Sequence, residues 1–518
     1  MAELTFDGGL NEQDDAQVDS KECTEGYNFE LGLGNTHYKP RKPFDKLGTS
    51  TNAASINGFI QLVKNDGSET TLVQSGDTVY TWNGTTGFTS KGSVTSTSKL
   101  RGTTWTLGGY SVITDIMKLT QVKKWDGTTF GNLTTGLGAT LYAKYGLVYL
   151  GRVWLFNVKA GTDTPHLLVA SEFENPESYD TSLRAKDSSF STGNEAFYMV
   201  TPNLLPINGV ALFYNTLIIS TESGELFKLT GSTSEDFAFT PFYSGSAAIG
   251  TETMMNIGND VVYIRNGGRI DKLLSVQNYG DVQTDDLSRW IPNTIQGITD
   301  SITVYDQDRQ KVYFFAGSNK LLVYFKNMDG TNLSPWSVYK TSHASSFETN
   351  AAIYMRAPGS ETKYVFFGDD SGNIYRLEGT SDGDNGDTDI STYRRSKYIE
   401  MFEDSPNIFR GRVEYKRISD LDLIMDFEWA DDYSTARCTV PLEGPPVGDD
   451  ANYFGGSSYW GGDFYWNTGF FYADRVSTKG FSPVGRGPGF HLMLTVTGSQ
   501  SFDILRLRDA ETQAKPAT

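Results

Sequence analysis

A hairpin phrase that recurs along the chain restricts its possible architectures most strongly. The clearest copy, YVFFGDDSGNIYRLEG from Tyr364 to Gly379, reads as an apolar strand, a four-residue turn and a second strand, which is the pattern of a β-hairpin. Weaker copies are LIISTESGELFKLTG, VVYIRNGGRIDKLL and VYFFAGSNKLLVYF, and a Trp-(Asn/Asp)-Gly-Thr-Thr phrase begins at both Trp82 and Trp125.

The spacing of these phrases predicts the fold. The strands that close them centre near positions 81, 124, 169, 228, 272, 323 and 376, so that one repeat takes about 45 to 60 residues. This period is typical of the blades of a β-propeller. We therefore predict an all-β protein with a propeller of six or seven blades over 51–380.

Composition agrees with many short strands joined by tight turns. The 518 residues include 54 glycines and 13% aromatic residues, and the hydrophobic fraction of 38% is enough for a packed core. Only the link at 280–299 has a helical pattern, which predicts one helix with Thr284 as N-cap and with Asp285 and Asp286 in its first turn.

The residues before the propeller predict an arm. Residues 1–50 are expected to form an N-terminal arm with a ring-closing strand and a short strand from Tyr27 to Leu31. The basic cluster Lys39, Arg41 and Lys42 is interrupted by prolines, as in an extended strap. These three residues are a candidate inter-subunit arm, and a solvated segment of the same chain is the alternative.

The residues after the propeller predict a second domain. An acidic linker is expected at 381–392 and a disordered tail at 511–518. Between them the strands lengthen, and the alternation of Leu492, Leu494 and Val496 predicts an antiparallel β-sandwich over 393–510.

An insert rich in glycine and aromatic residues interrupts this domain at 448–475. If it is exposed it marks an interface, and if it is buried it fills the interior of its own domain. We favour the interface. Its aromatic residues are Tyr453, Phe454, Tyr459, Trp460, Phe464, Tyr465, Trp466, Phe470, Phe471 and Tyr472.

Charge and cysteine content restrict partners and location. A formal net charge of -19 does not favour nucleic-acid binding on the general surface, because DNA affinity comes mostly from neutralising phosphates. No signal peptide and no apolar run near the roughly 20 residues of a bilayer span is visible, so we expect assembly in a cytoplasm without membrane insertion. Cys23 and Cys438 are expected to be free thiols.

The motifs of common catalytic sites are missing. The chain has no GxSxG, HExxH or phosphate-binding glycine loop, and its histidines, His37, His166, His343 and His491, are scattered. Asp382, Asp384, Asp387 and Asp389 could ligate calcium, but Tyr393 stands where an EF-hand needs a glutamate. A solvated acidic linker is the preferred interpretation. We expect no catalytic residues, metal or cofactor, and hence a structural role.

Four stretches carry a resemblance to a known family. They are the opening Gly8-Gly9-Leu10-Asn11 with Asn28 and a basic proline-rich turn, the central phrases from GVALFYNTL to RIDKLLS, SPWSVYKT around Trp336, and the ending from Gly485 to Arg508. Together they resemble the tail nozzle family of short-tailed bacteriophages, also called packaged-DNA stabilisation or tail accessory proteins. The insert at 448–475 matches no motif of the family.

The resemblance implies a virion protein that is assembled in the host cytoplasm. It implies a hexameric ring below the portal and adaptor, which retains packaged DNA and conducts it during ejection without sequence-specific contacts. Tail fibres or tailspikes are possible further partners. Because an acidic lumen would let DNA slide, we predict acidic lumen loops and a steric gate, with 451–472 as the first candidate.

Two other functions fit a propeller. One is carbohydrate binding or cleavage, as in a tailspike, lectin or glycosidase, although no sialidase Asp-box phrase is present. The other is a cellular scaffold similar to quinoprotein-like folds, which leaves the opening motif and the C-terminal sandwich unexplained.

Overall fold

The computed structural model describes most of the chain. The described residues are 3–31, 37–137, 139–179, 192–245, 248–265, 267–275, 282–298, 301–317, 320–343, 347–381, 383–386, 388–400, 409–416, 420–429, 435–442, 476–481, 489–498 and 502–512.

Strands dominate these residues, with four short 3₁₀ turns at Asp15–Gln17, Thr251–Thr253, Leu287–Trp290 and Lys326–Met328. In chain order the strands are β1 Glu3–Leu4, β2 Cys23–Tyr27, β3 Asp45–Thr49, β4 Ile56–Val63, β5 Glu69–Ser75, β6 Thr78–Trp82, β7 Phe88–Ser93, β8 Leu100–Trp105, β9 Tyr110–Asp115, β10 Lys123–Trp125, β11 Phe130–Asn132, β12 Leu141–Tyr149, β13 Arg152–Ala160, β14 Thr162–Ala170, β15 Phe197–Val200, β16 Ile207–Phe213, β17 Thr216–Thr221, β18 Glu225–Thr230, β19 Ala238–Ser244, β20 Met255–Asn256, β21 Val261–Arg265, β22 Arg269–Ser275, β23 Val282–Asp286, β24 Ile302–Asp306, β25 Lys311–Phe315, β26 Lys320–Phe325, β27 Trp336–Lys340, β28 Ala351–Arg356, β29 Lys363–Gly368, β30 Asn373–Arg376, β31 Ile390–Ser396, β32 Ile399–Glu400, β33 Phe409–Lys416, β34 Leu421–Trp429, β35 Thr435–Leu442, β36 Val476–Phe481, β37 Gly489–Gly498 and β38 Asp503–Thr512.

The chain folds into two compact units. The propeller unit consists of Phe44–Leu321 and Ala344–Gly379. The sandwich unit consists of Met1–Pro43, Leu322–His343 and Thr380–Thr518.

The propeller unit consists of antiparallel blades that follow one another along the chain. Blades 1 to 5 are β4–β7, β8–β11, β12–β15, β16–β19 and β20–β23. A parallel bridge between Phe59 and Arg101 joins blades 1 and 2 into one sheet. Blade 6 begins with the pair β24–β25, and the chain leaves this unit within β26. Blade 7 contains β28, β29, β30 and β3.

Seven blades close into a ring among the described residues. Successive blades contact each other at their first strands, in the order β4, β8, β12, β16, β20, β24 and β28, except that β13 and β14 make the contacts of blade 3 with β16. The contact between β28 and β4 completes the circle. The predicted propeller is confirmed, and its ring has seven blades.

The ring-closing strand comes from the start of the unit. Antiparallel pairing of β3 with β30 makes the N-terminal segment the outer strand of blade 7. Just before β3, the ring of Phe44 makes edge contacts with Phe367 and Tyr375 at centroid distances of 5.8 and 5.4 Å. Apolar side chains of blades 7 and 1 then form a shared core that includes Phe59, Trp82 and Phe366.

The repeated Trp-(Asn/Asp)-Gly-Thr-Thr phrase forms the same turn twice. The side-chain oxygen of Asn83, and that of Asp126 in the second copy, accepts two backbone N–H hydrogen bonds at 2.7 to 3.0 Å. The next residues, Gly84 and Gly127, have φ angles of +93° and +92°, which favour glycine.

The hairpin from Tyr364 to Gly379 is held by its turn. The Asp369 carboxylate accepts backbone N–H bonds from Ser371 and Asn373 at 2.9 and 2.8 Å, and the Tyr375 hydroxyl donates to it at 3.0 Å. Gly372 has a φ of +79°, and its carbonyl accepts from Ser50 N–H at 2.8 Å. This turn therefore anchors the chain just after the ring-closing strand.

The sandwich unit contains two antiparallel sheets, which confirms the predicted C-terminal sandwich. One has the order β1-β38-β33-β36, and the other has the order β2-β31-β37-β34-β35, with β32 also paired to β37. The rings of Phe427 and Phe481, which belong to different sheets, have centroids 5.8 Å apart. Leu492, Leu494 and Val496 are all buried, as their alternation predicts.

Two local predictions are wrong. Thr284 and Asp285 lie in β23, where they pair with Leu273 and Lys272, because the blade supplies strand partners that an isolated helix lacks. Only a 3₁₀ turn follows, with Asp286 as its N-cap. The short strand expected from Tyr27 to Leu31 lies instead at Cys23–Tyr27, because Asn28 adopts a left-handed φ of +61°.

We predict that Gly372→Ala destabilises the protein more than Gly67→Ala. Both glycines have nearly the same φ, +79° and +80°, so both variants carry the left-handed penalty of roughly 1–2 kcal/mol. A Cβ at Gly67 would meet nothing, whereas one at Gly372 would lie 2.9 Å from the backbone Cα of Ala53. Guanidinium unfolding of both variants measures the difference, and equal losses would contradict this packing of the turn.

Candidate functional site

The aromatic insert lies outside the described residues. All ten of its aromatic side chains, from Tyr453 to Tyr472, fall within the gap at 443–475. Its role as a gate or tip-contact loop therefore stays a prediction.

The opening motif is part of the interior of the sandwich unit. The backbone N–H groups of Gly9 and Leu10 donate to the carbonyls of Ser334 and Trp336 at 2.7 and 2.8 Å. A Cβ on Gly9 would overlap the Trp336 carbonyl oxygen, so the close approach of these two segments requires glycine. The stretches 6–11 and 334–341 are therefore in direct backbone contact, although some 325 positions separate them in the sequence.

A buried carboxylate joins the same segments. Glu22 accepts a hydrogen bond from the Asn11 side-chain amide at 2.7 Å and another from the backbone N–H of Ser334. The Ser334 hydroxyl in turn donates to the Leu10 carbonyl. Asn11, Glu22 and Ser334 are fully buried or nearly so, and buried polar groups need such partners.

Asn28 is the centre of a second buried network. Its amide donates to the Ser391 carbonyl at 2.8 Å, and its side-chain oxygen accepts from Arg41 Nε at 2.9 Å and from Lys340 N–H at 2.7 Å. The Arg41 guanidinium forms a bidentate ion pair with Asp384, and both side chains are only 1% exposed. This geometry is strong and directional.

The pair changes the interpretation of both segments. The reading of 381–392 as a solvated acidic linker is wrong for Asp384, because a buried guanidinium neutralises this carboxylate. Arg41, a candidate inter-subunit arm residue, is used inside its own chain. Lys39 lies 3.4 Å from the Asp503 carboxylate, and Lys42 is exposed.

Three cationic or titratable groups surround the buried Asp503 carboxylate. His37 Nδ1 lies 2.8 Å from it, Lys39 Nζ 3.4 Å and Lys416 Nζ 3.8 Å. Burial lowers the pKa of His37, although the Asp503 charge opposes this shift. The cluster joins the segment before Arg41 to the start of β38, so it holds the N-terminal region against the C-terminal sheet.

An ion pair crosses the axis of the propeller unit. Arg101, in the first strand of blade 2, binds Glu252, which precedes the first strand of blade 5. The same guanidinium donates to the carbonyls of Asn57 in blade 1 and Asn350 in blade 7 at 2.8 and 2.9 Å. Blades 2 and 5 are three positions apart in a ring of seven, which is the largest separation possible. An ion pair between them therefore lies across the central opening of the propeller.

Sequence reasoning missed this axial pair. A signal was present, because a polar residue precedes glycine in the first strands of three blades, at Asn57-Gly58, Arg101-Gly102 and Asn208-Gly209. Register shifts occur at Asn57 and Asn208, so these first strands bulge at the polar residue.

The described residues bring together no group that could hold a metal ion. The His491 ring contacts the Ser396 carbonyl at 3.2 Å, and the His343 ring contacts the Asn385 amide at 3.4 Å.

Both cysteines are free, as predicted. Burial raises the pKa of the Cys23 thiol to about 11, and the Arg394 charge opposes this rise. No described helix has the length and apolar character needed to cross a membrane.

Comparison with known proteins gives a likeness of fold only. No family model and no curated protein matches the chain. A catalytically inactive virginiamycin B lyase from Staphylococcus aureus, solved with quinupristin, has a TM-score of 0.41 and 12% identity, over 65% of this chain and 99% of that chain. BBS1N in complex with ARL6DN has a TM-score of 0.42 and 8% identity, over 65% and 98%. A streptogramin B lyase has a TM-score of 0.35 and 9% identity, over 68% and 96%. At such scores these proteins carry no argument about activity.

We predict that iodoacetamide modifies the folded protein at Cys438 and leaves Cys23 intact. The thiolate is the reactive form, and Cys23 is both fully buried and protonated at pH 8, whereas Cys438 is partly exposed on β35. Mass spectrometry of peptides after a short reaction measures this, and denatured protein should react at both sites. Equal native reaction at both cysteines would contradict the burial of Cys23.

We predict that Arg101→Gln destabilises the propeller unit by about 1–3 kcal/mol, because Glu252 and three backbone carbonyls, those of Asn57, Leu100 and Asn350, lose a charged donor. Glu252→Gln should have a smaller effect, since Arg101 keeps its carbonyl partners. A double-mutant cycle by chemical denaturation measures the coupling. Additive effects would show that the two side chains do not interact across the axis.

Proposed function

We propose that this protein is a structural component of a short-tailed phage virion, a tail nozzle that retains packaged DNA and conducts it during ejection. It acts without catalysis, as a homohexameric ring below the portal and adaptor. Direct attachment of tail fibres or tailspikes to this ring is a further possibility within the proposal.

The single observation that carries the proposal is the convergence of three of the four stretches that resemble the nozzle family. Gly9 and Leu10 bond to Ser334 and Trp336, and Asn28 bonds to the backbone of Lys340. From the ending stretch, Ile504 exchanges backbone hydrogen bonds with Tyr38, in the basic proline-rich turn. These three stretches lie in the sandwich unit, whereas the central phrases, from GVALFYNTL to RIDKLLS, lie in blades 4 and 5 of the propeller unit.

The axial ion pair supports a channel between copies of the chain. Arg101 binds Glu252 across the axis of the propeller and also donates to the backbone of blades 1 and 7, so we infer that duplex DNA does not pass along this axis. A DNA channel therefore requires a ring of several chains, which forms by heterologous contacts between different surfaces of neighbouring copies.

Charge supports conduction rather than capture. DNA presents one phosphate per roughly 1.7 Å, so a basic lumen would hold the genome with many counterion-releasing contacts. A chain with a net charge of -19 is not expected to bind the phosphates in this way, so a steric gate would have to retain the packaged DNA. The aromatic residues of 451–472 remain our candidate for that gate.

The experiment is nuclease protection of packaged DNA in particles assembled with and without this chain. Heads that lack it should fill and then leak, so their DNA should become sensitive to nuclease, and the added purified protein should restore protection. Particles that carry a chain trimmed at 451–472 should assemble the ring and still leak.

A different result would overturn the proposal. If heads without the chain keep their DNA but fail to adsorb to cells, the protein belongs to host recognition. Saturable binding of a monomer on a glycan array would then favour the carbohydrate-binding alternative.

A further inference from the structure

Exposed apolar side chains are restricted to one sector of the propeller unit. Among the described residues, every large apolar side chain with strong exposure lies between Val63 and Tyr214, within blades 1 to 4. Blades 5 to 7 and the described part of the sandwich unit contribute none. Exposed apolar residues mark an interaction surface only where they are contiguous.

Three of these side chains form a surface that we call the turn patch, consisting of Leu150, Phe173 and Tyr214. Leu150 and Tyr214 occupy the turns between the first and second strands of blades 3 and 4, and Phe173 follows the third strand of blade 3. In an antiparallel blade these three connections lie on the same face. The side chains are 42%, 40% and 50% exposed.

Hydrogen bonds and packing hold the three connections that carry the turn patch next to one another. The Tyr149 hydroxyl donates to the Asn215 carbonyl at 3.2 Å, which joins the two hairpin turns. The Phe173 ring lies directly against Gly151, where a Cβ would be 2.5 Å from the ring. The Glu174 N–H also donates to the Gly151 carbonyl at 2.7 Å.

Hydrogen bonds within the chain hold the backbone on both sides of Phe173. The buried Arg152 guanidinium donates to the carbonyls of Ser171 and Gly193 at 2.6 and 2.9 Å, so it ties the two ends of the connection that carries Phe173. The Phe173 N–H donates to Asn194 at 2.9 Å. A rigid surface loses little conformational freedom on binding.

The turn patch keeps apolar residues where the backbone disfavours them. Leu150 and Tyr214 have φ angles of +47° and +52°, in the left-handed region that favours glycine and asparagine. Leu150 and Tyr214 are 42% and 50% exposed, so each keeps about half of its side chain accessible in spite of this backbone cost.

The rim of the patch is acidic. Glu172, Glu174 and Glu235 lie in the connections of blades 3 and 4 on this face, and the sequence of these connections, 171–196 and 231–237, has eight acidic residues against two basic ones, Arg184 and Lys186. This excess of acidic residues disfavours nucleic acid and favours a partner segment with basic side chains.

We propose that the turn patch is a docking site for another protein, and that it takes a segment whose apolar side chain is flanked by lysine or arginine. The apolar tip packs between Leu150, Phe173 and Tyr214, and the basic flanks pair with the acidic rim. This inference is independent of the proposed role as a nozzle.

The test uses the full chain and a ten-residue peptide with two central leucines and two lysines on each side. Its controls replace the lysines with glutamate or the leucines with serine, and a short DNA duplex serves as a further probe. Binding is titrated by thermophoresis at physiological salt, and sedimentation velocity gives the oligomeric state.

The variant Leu150→Asn has a matched control in Leu204→Asn. Leu204 is also exposed and left-handed, with a φ of +55°, but it lies on the opposite face, between blades 3 and 4. Asparagine tolerates this φ, so both variants should fold with a Tm equal to or above that of the parent protein. Leu150→Asn should raise the Kd for the peptide with central leucines and flanking lysines, the Lys-Leu peptide, at least tenfold. Leu204→Asn should leave this Kd within twofold of the parent value.

Four outcomes overturn the inference. They are the absence of saturable binding of the Lys-Leu peptide, equal binding of either control peptide, equal binding by Leu150→Asn, and saturable binding of the DNA duplex that Leu150→Asn abolishes. If Leu150→Asn instead dissociates an oligomer, a second copy occupies the patch and the proposed partner class is wrong.

Discussion

Closure of the propeller ring is the constraint on which the rest of the propeller unit depends. The contact between β28 and β4 closes the circle, and β3 completes the last blade with a strand from the start of the unit. Only a closed ring brings Arg101 in blade 2 against Glu252 in blade 5 and places both beside the backbone of blades 1 and 7. Because the ring is closed, every blade lies between two other blades. Apolar side chains form cores between successive blades.

The sandwich unit is held by a different principle, the pairing of buried polar groups from distant segments. Asn28 hydrogen-bonds three other segments, while Arg41 neutralises Asp384. Removing one member would leave a charge or an amide buried without its partner, which typically costs about 3–5 kcal/mol for a buried ion pair. Such networks specify one arrangement of the chain because an alternative packing would not satisfy their hydrogen-bonding groups.

The repeated phrases predicted the blades well because their apolar alternation and turn residues are local properties. All seven predicted closing strands exist, but in blades 1 to 5 each is followed by a further strand that the sequence did not reveal. In blade 7 the outer strand is β3, the ring-closing strand that the sequence predicts. The outer strands that the sequence did not reveal, such as Phe88–Ser93 and Phe130–Asn132, are exposed or short and lack an apolar pattern. The buried pairs were equally hidden, because Arg41 and Asp384 lie 343 positions apart and nothing near either residue indicates its partner. Thr284 was misassigned for a related reason, since its strand partner at Leu273 decides its conformation more strongly than its local capping pattern.

The proposed nozzle role requires that DNA passes between copies of this chain and never through the axis of a propeller. Cryo-electron microscopy of filled particles at the portal vertex tests it most directly. We expect a ring of six propellers around a central column of DNA density, with protein density for Arg101 and Glu252 across each propeller axis. DNA density within a propeller axis, or the absence of this chain from the portal vertex, would contradict the account.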